Sequence, residues 1–378
     1  MDNTEQTERD LEDNPFWKLY LKGKDTWNQW ATNQLAADPL AELESEVGEL
    51  SQNEIDFSHS VFKEAVTFRG FVFPCRANFE GATFTQDADF EGVTFIKIAF
   101  FPRVTFVQKS IFEGVTFSKI ADFSEATFAW ITKFTGATFT ENALFLGANF
   151  TRHADFQSTT FTSHTYFDGA TFTDHSIFNN CKFKSSTSFK STTFQFAPKF
   201  HSAELHQDTS FLNTTFKRDY NAIMFDFDGA ARAWGSLKVF MHDHHRHDMA
   251  HKFFSYEMDA IRKRDGWKSP KKFTEAVLNL AYKGMSNYGY SYRRPLLLLC
   301  IFTALFSLAY HEFCMDWGNA INLSLASTIP FAGLSGAVLK STTLTGTLPL
   351  FINIAQSVIN VTLLFLAGLG LRNRFRIK

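Results

Sequence analysis

Phenylalanine recurs through residues 57–216 on two interleaved tracks, each with a period of eleven residues. Successive Phe residues are alternately five and six positions apart. The residue two positions before nearly every Phe is small or β-branched, and Phe71 and Pro198 are the exceptions. The residue between this position and the Phe is commonly polar, often Thr. An inward, outward, inward triplet is the alternation of a short β-strand, so each unit is predicted to bury its Phe and its small residue.

The two tracks are almost unbroken. The first track is Phe57, Phe68, Phe79, Phe90, Phe101, Phe112, Phe123, Phe134, Phe145, Phe156, Phe167, Phe178, Phe189, Phe200 and Phe211. The second is Phe62, Phe73, Phe84, Phe95, Phe106, Phe117, Phe128, Phe139, Phe150, Phe161, Phe172, Phe183, Phe194, Leu205 and Phe216. Only Leu205 departs from Phe, and it remains apolar.

A unit this short cannot bury its Phe alone, so successive coils must stack at the strand spacing of about 4.8 Å. Four sides of five, six, five and six residues make a coil of 22 residues. We therefore expect about seven coils and a rod on the order of 35 Å long. The predicted corners are Gly81, Gly92, Gly114, Gly136, Gly147 and Gly169, and the predicted solenoid core includes Phe79, Phe84, Phe90, Phe95, Phe123, Phe128, Phe145 and Phe150.

The segments ANFEGATF, ADFEGVTF, ADFSEATF and ANFTRHADF resemble the A(D/N)FxxA(T/N)F variant of the pentapeptide repeat family. The resemblance extends from residue 55 to about 217 and implies a mainly β fold, a right-handed quadrilateral β-solenoid. Three further segments resemble membrane proteins of this family from bacteria: DTWNQWATNQ, SNYGYSYRRPLLLLC and LLFLAGLGLRNRFRIK.

Helical patterns flank the repeats. Residues 9 to about 37 carry aromatic residues at helical spacing and are predicted to cap the solenoid, with binding to a membrane surface as the alternative. Residues 228–264 suggest a helical hairpin broken near His245 to Asp248. His247 and His251 stand at i,i+4 spacing, which could bind a metal ion, but no second ligand pair accompanies them, and a solvated turn is preferred. We expect no metal site and no cofactor.

Two apolar stretches near the C-terminus, residues 295–313 and 348–371, have the length of membrane spans. Arginines lie before the first stretch and after the second, and Lys340 is the only basic residue in the loop between the two stretches. The positive-inside rule then predicts a bacterial inner-membrane protein with its solenoid and C-terminus in the cytoplasm, consistent with an acidic N-terminus that lacks a secretion signal. Tyr288, Tyr290 and Tyr292 suit the headgroup interface.

The second span carries Asn353, Gln356, Ser357 and Asn360 on one helical face. Polar groups at that depth usually face another helix or water, so this polar stripe predicts a homo-oligomer and could line a pore. Residues 320–336 are predicted to form a short re-entrant or interfacial helix ending at Pro330. The predicted domains are a cap (1–54), the solenoid (55–218), a helical connector (219–292) and a transmembrane hairpin (293–378).

Composition and charge narrow the function. The net charge is −2, and residues 55–217 contain 15 acidic and 14 basic residues, which argues against mimicry of DNA and predicts no nucleic-acid partner. The four cysteines have no zinc or disulfide spacing, and no catalytic constellation is found. We expect a non-enzymatic, membrane-anchored scaffold that oligomerises through its hairpin and binds an unidentified protein. The alternative is an oligomeric ion channel gated by the solenoid and connector.

Overall fold

The computed structural model describes residues 11–37, 54–217, 226–265, 270–312, 316–328 and 347–375. The chain divides into two compact units, Met1–His245 and Arg246–Lys378. The first contains the solenoid and the second contains the apolar helices. The domain borders drawn from the sequence stay predictions, but the division at residue 245 falls inside the predicted connector.

The solenoid consists of 27 short strands. They are β1 (Glu54–Asp56), β2 (Val61–Phe62), β3 (Val66–Thr67), β4 (Val72–Phe73), β5 (Arg76–Asn78), β6 (Thr83–Phe84), β7 (Ala88–Asp89), β8 (Thr94–Phe95), β9 (Ala99–Phe100), β10 (Thr105–Phe106), β11 (Ser110–Ile111), β12 (Thr116–Phe117), β13 (Ala121–Asp122), β14 (Thr127–Phe128), β15 (Thr132–Lys133), β16 (Thr138–Phe139), β17 (Ala143–Leu144), β18 (Asn149–Phe150), β19 (Ala154–Asp155), β20 (Thr160–Phe161), β21 (Thr165–Tyr166), β22 (Thr171–Phe172), β23 (Ser176–Ile177), β24 (Lys182–Phe183), β25 (Thr187–Ser188), β26 (Thr193–Phe194) and β27 (Thr215–Phe216).

These strands form four parallel sheets, which are the four walls of the solenoid. Wall one contains β1, β5, β9, β13, β17, β21 and β25, and wall two contains β2, β6, β10, β14, β18, β22, β26 and β27. Wall three runs from β3 to β23 and wall four from β4 to β24, again by every fourth strand. Phe106 pairs with Phe84 below and Phe128 above, 22 residues away in each direction. The predicted four-sided, 22-residue coil and the parallel β-solenoid are therefore confirmed.

The interior is a stack of parallel Phe rings. Phe79 stacks on Phe101 with ring centroids 4.6 Å apart, and Phe128 stacks on Phe150 at 4.7 Å. Rings from different tracks meet edge to face, as Phe84 and Phe90 do at 5.9 Å. All eight Phe residues named above as core are buried. Burying one Phe contributes about 1.5–3 kcal/mol and each aromatic pair about 0.5–1.5 kcal/mol more, so this column provides most of the rod's cohesion.

Half of the corners require a left-handed backbone, always at the second residue after a first-track Phe. The predicted corner glycines have φ between 62° and 71°, and Gly70 shares this conformation. At other coils the same position is occupied by non-glycine residues such as Arg103 and Glu125, with φ of 55° and 58°. An L residue in this region costs about 1–2 kcal/mol, so the interior stack imposes a turn that the local sequence does not favour.

Helices cover both ends of the solenoid. A 3₁₀ turn (Leu11–Asp13) precedes α1 (Pro15–Tyr20) and α2 (Lys24–Ala37), which pack on the first coil. At the other end, α3 (Phe227–Asp243) places the Trp234 ring 5.6 Å from Phe216 and nearly perpendicular to it. Both ends of the Phe stack are thus shielded from water. α3 lies in the first compact unit together with the solenoid.

The second unit contains α4 (His247–Asp265), α5 (Pro270–Ser286), α6 (Arg293–Glu312), α7 (Trp317–Ala326) and α8 (Thr347–Phe375). The chain breaks between α3 and α4 at residues 244–246, close to the predicted break. α6 packs against α8, and the short α7 packs on α6. α6 and residues 351–375 of α8 are long and apolar enough to cross a membrane. The predicted helix end at Pro330 lies outside the described residues, as does Lys340.

Candidate functional site

The N-terminal cap completes the first coil by supplying hydrogen bonds that a preceding coil would otherwise provide. The Asn28 side chain receives the Val72 N–H at 2.9 Å and donates to the Gly70 carbonyl at 3.0 Å, so it pairs with the edge of β4 as a strand would. The Trp27 indole donates to the Val72 carbonyl at 2.7 Å and its ring lies 5.5 Å from Phe71. Phe71 breaks the small-residue rule because its larger side chain meets the cap. Trp27 is fully buried, so this side chain serves the solenoid instead of a membrane surface.

The walls of the solenoid are mostly polar and their charges are paired between coils. Lys119 lies 3.0 Å from Glu141, and Lys133 lies 2.8 Å from Glu113. Both pairs are solvent-exposed, where such contacts contribute about 0–1 kcal/mol. Opposite charges alternate along the rod, so these walls lack the continuous acidic column that nucleic-acid mimicry needs.

Wall one departs from this polar character in its middle coils. Phe100, Leu144 and Tyr166 occupy outward positions that hold Asp or Asn in neighbouring coils, and Leu144 and Tyr166 are directly paired. Leu146, at the following corner, is 38% exposed. We name this surface the wall-one patch; it comprises Ile98, Phe100, Ile120, Leu144, Leu146 and Tyr166. The sequence signal was available, since an apolar residue at an outward position breaks the repeat rule, but it was overlooked.

The polar stripe of α8 faces α7 of the same chain. The Tyr310 hydroxyl in α6 donates to Gln356 Oε1 at 2.9 Å, and Gln356 Nε2 donates to Ser324 Oγ in α7 at 2.8 Å. Ser324 Oγ in turn donates to the Thr303 carbonyl in α6 at 2.7 Å. Gln356 is fully buried and joins three helices. These bonds satisfy polar groups that an apolar environment would otherwise penalise.

The remaining stripe residues lie near the C-terminal end of α7. Asn353 Nδ2 donates to Ser327 Oγ at 2.8 Å, and Asn360 Nδ2 donates to the Ser327 carbonyl at 3.3 Å. Asn360 is fully buried, and its Oδ1 has no hydrogen-bond partner among the described residues. Ser357 is half-buried. Three of the four predicted stripe residues therefore converge on α7, which the sequence did not predict.

A second polar cluster lies between α4, α5 and the loop that follows α5. Lys283 Nζ contacts both carboxylate oxygens of the buried Asp259, at 2.7 and 2.6 Å. The Tyr288 hydroxyl lies 2.7 Å from Asn279 Oδ1 and 3.2 Å from Asp259 Oδ1. Burial, together with the neighbouring Asp259 carboxylate, raises the pKa of Tyr288. Tyr288 is thus a buried network residue, although the sequence suggested that it lies at the headgroup interface.

The same loop packs closely on the C-terminal part of α8. Gly289 has φ of 79°, and a Cβ there would lie 2.7 Å from the Tyr282 hydroxyl oxygen and 2.8 Å from Leu369 Cδ2. A Cβ on Gly370 would lie 2.7 Å from the Tyr292 backbone nitrogen. Asn373 Nδ2 donates to the Gly289 carbonyl at 2.8 Å. Only glycine fits at 289 and 370, so α8 is held against this loop.

The histidine pair considered for metal binding has another environment. His251 Nε2 lies 3.0 Å from the Asn287 carbonyl, and its ring stacks on Tyr290 at 4.7 Å. Burial lowers the pKa of His251. His247 is the first residue of α4. Across the described ranges, no three His, Cys, Asp or Glu side chains gather as they would around a metal ion.

Comparison with known protein families supports the assignment of the repeats. A family model described as pentapeptide repeats (9 copies) matches residues 112–160, 134–182 and 145–193. Comparisons with curated proteins and with solved structures found no match. The matched residues lie within the solenoid and include both of its Phe tracks. The solenoid of this chain is therefore built of pentapeptide repeats.

Proposed function

We propose that this protein is a non-enzymatic scaffold, anchored in a membrane by α6 and α8 and displaying the solenoid as a rigid binding rod. The observation that carries the proposal is the exposed apolar surface of these helices. Leu297 in α6 is 62% exposed and Phe365 in α8 is 68% exposed, and other large apolar residues of both helices are exposed with them. In water, apolar surface costs about 25 cal/mol per Å², whereas lipid covers it without that cost.

The basic residues support one orientation. Arg293 and Arg294 begin α6, and Arg372 and Arg374 lie in the last turn of α8. Two antiparallel spans bring these termini to the same side of the bilayer. By the positive-inside rule that side is the cytoplasm of a bacterium, and the rod and C-terminus belong there.

The rod recognises its partner by surface chemistry. Its interior is filled with Phe, so binding has to occur on a wall. The wall-one patch offers side chains of the kind that enrich protein interfaces, including Phe100 and Tyr166, with Arg76 placed 4.7 Å from the Phe100 ring. We therefore assign the partner as a protein that presents an apolar surface to wall one.

Two measurements on the full chain test this proposal. Alkaline extraction of bacterial membranes is expected to leave the protein in the pellet, and protease added outside spheroplasts is expected to leave the rod intact. A photo-crosslinking residue placed at Leu144 is expected to capture one protein that the same residue at Thr105, on wall two, does not. Release of the protein from the membranes at alkaline pH would contradict the anchoring. Capture of the same protein at Leu144 and at Thr105 would contradict recognition by wall one.

The second candidate function is an oligomeric ion channel, and one observation favours it. The short helix α7 is bound by Gln356, Asn353 and Asn360 to the spanning helix α8, an arrangement of span, short helix and span that pore-loop channels use. Purified protein in a planar bilayer would then show discrete openings. Asn360→Leu is expected to abolish them while Ser357→Ala retains them, with both variants matched to the native oligomer by mass. Silence of the native protein, or openings unchanged by Asn360→Leu, counts against this assignment.

A further inference from the structure

Helix α5 has its polar and apolar sides reversed relative to a helix on a water-soluble protein. The side that packs against the rest of the second unit carries Asn279, Lys283 and Ser286. Lys283 pairs with Asp259 of α4, Asn279 receives the Tyr288 hydroxyl, and Ser286 Oγ accepts the Gly289 N–H at 2.9 Å. A helix on a soluble domain normally buries its apolar stripe instead.

The opposite side of α5 is apolar and exposed. Val277 is 42% exposed, Leu278 is 64% exposed and Leu280 is 53% exposed. Phe273, also 45% exposed, lies one turn before Val277 on the same side. At 100° per residue these side chains span an arc of about 160°, which is wider than the stripe a surface helix needs for packing. Large exposed apolar surfaces of this kind indicate a binding surface.

The surroundings of α5 indicate what covers it. Lys271 lies in its first turn beside Lys272, whose ammonium lies 3.2 Å from Asp265 Oδ1, and Arg293 and Arg294 lie just beyond its C-terminal loop. The helix is about 25 Å long and ends six residues before α6, whose own exposed face is apolar. Apolar side chains bordered by basic ones, next to a spanning helix, match the boundary between acyl chains and anionic headgroups.

We propose that α5 lies in the interface of an anionic bilayer, with Val277, Leu278 and Leu280 at the level of the upper acyl chains. Lys271, at the border of the apolar side, contacts headgroup phosphates. This inference rests on the proposed anchoring through α6 and α8, because those spans bring α5 to the bilayer. The Asp259–Lys283 pair orients the helix by holding its polar side against α4.

The test measures the depth of spin labels in the full chain, reconstituted in nanodiscs of phosphatidylglycerol and phosphatidylcholine. The native cysteines are first replaced by Ala, and labels are attached to three variants: Val277→Cys on the apolar side, Glu275→Cys on the exposed rim of α5 as matched control, and Ile301→Cys on α6. We expect the labels on Val277→Cys and Ile301→Cys to be more accessible to oxygen than to a water-soluble nickel chelate. The Glu275→Cys label is expected to show the reverse.

The three labels separate the possible failures. Nickel access to Val277→Cys while Ile301→Cys stays protected overturns the placement of α5 and leaves the anchoring intact. Nickel access to both overturns the anchoring as well. Dipolar broadening of the Val277→Cys signal, or its immobilisation with low oxygen access, would show that a second copy or another protein covers this side and would also overturn the proposal.

Charge provides an independent readout. The variant Lys271→Glu is expected to raise nickel access to the Val277→Cys label in anionic nanodiscs, while nanodiscs of phosphatidylcholine alone show little difference between the two proteins. An equal response in both lipids would overturn the role assigned to anionic headgroups. Lys263→Glu, in the last turn of α4, is the matched charge control.

Discussion

The solenoid and the second unit bury opposite kinds of side chain. In the solenoid, Phe rings fill the interior while Thr and charged residues face outward. In the second unit, Gln356, Asn360 and Asp259 are buried, whereas Leu297, Phe365 and Leu278 are exposed. The difference teaches that the surroundings decide which side of an element is the inside: apolar stacking holds a rod in water together, whereas, under the anchoring proposed above, hydrogen bonds and close packing hold the helices together in lipid.

The two regions also differ in how their cohesion is distributed. Every Phe in the middle coils stacks on the Phe one coil below and the Phe one coil above, so the rod repeats one interaction many times. The second unit depends on a few contacts that each occur once, such as the hydrogen bond between Tyr310 and Gln356. Substitutions that remove one contact of each kind therefore sharpen the comparison.

The largest effect is expected from Phe123→Ala in the middle of the rod. Phe123 stacks on Phe101 and Phe145 at 4.9 and 5.2 Å, and truncation leaves a cavity that stacked coils cannot close. We expect a loss of about 3–5 kcal/mol in unfolding free energy. Urea unfolding of the purified full chain, followed by circular dichroism in the strand region, measures it. The control is Thr127→Ala, which changes an outward side chain in the next strand, β14. Equal losses for the two variants would refute a stacking-dominated core.

A smaller effect is expected from Asp259→Ala in the second unit. This change leaves the Lys283 ammonium without its carboxylate and removes one neighbour of the Tyr288 hydroxyl. Because Lys283 is one-third exposed and water reaches it, we expect a loss of about 2–3 kcal/mol, below the range for fully buried pairs. Thermal unfolding in detergent monitors this unit. Glu275→Gln, on the exposed rim of α5, should change little, and a similar loss there would contradict a specific network.

Gln356→Leu tests the hydrogen bonds that hold α7. Leu has nearly the same volume, so the change chiefly removes the acceptor of the Tyr310 hydroxyl and the donor to Ser324 Oγ. We expect a loss of about 1–2 kcal/mol, since interhelical hydrogen bonds within membranes have modest net strength. Unfolding in mixed micelles with increasing SDS measures it, and Phe351→Leu on the exposed face is the control. A loss no greater than that of Phe351→Leu would show that the polar stripe does not stabilise the hairpin.

The smallest effect is expected from pH acting through His251. Burial lowers the pKa of His251 from its ordinary value of 6.5, so the folded state favours the neutral ring and the unfolded state binds the proton more readily. The stabilisation is complete above pH 6.5 and is lost as the pH falls below that value. His251→Gln should flatten the acid side of the thermal stability profile of the second unit. His175→Asn is the control, because burial also lowers the pKa of His175 but this residue lies in the solenoid.

The solenoid could be predicted in detail because its partners stand at a fixed distance along the chain. Each Phe meets the residue 22 positions away. The coil length, the number of walls and the core residues could therefore be inferred from the period of the Phe pattern. The exceptions to the repeat gained a meaning only from the structure, in which Phe71 meets the cap and Phe100 and Leu144 belong to the wall-one patch. The bounds of α6 and α8 were equally accessible, since a span is defined by its own composition.

The tertiary structure decided which polar groups meet. Gln356 bonds residues 46 and 32 positions earlier, and Tyr288 bonds one residue 29 positions earlier and another 9 positions earlier, and no period relates these separations. The sequence alone showed that Asn353, Gln356 and Asn360 share a face, but their partner became known only once α7 was placed. The two sides of α5 likewise became apparent only in the structure, where the packing of Lys283 on Asp259 leaves the apolar side of the helix facing outward. A repeat determines its own neighbours, whereas contacts between unlike helices depend on how the chain folds back in space.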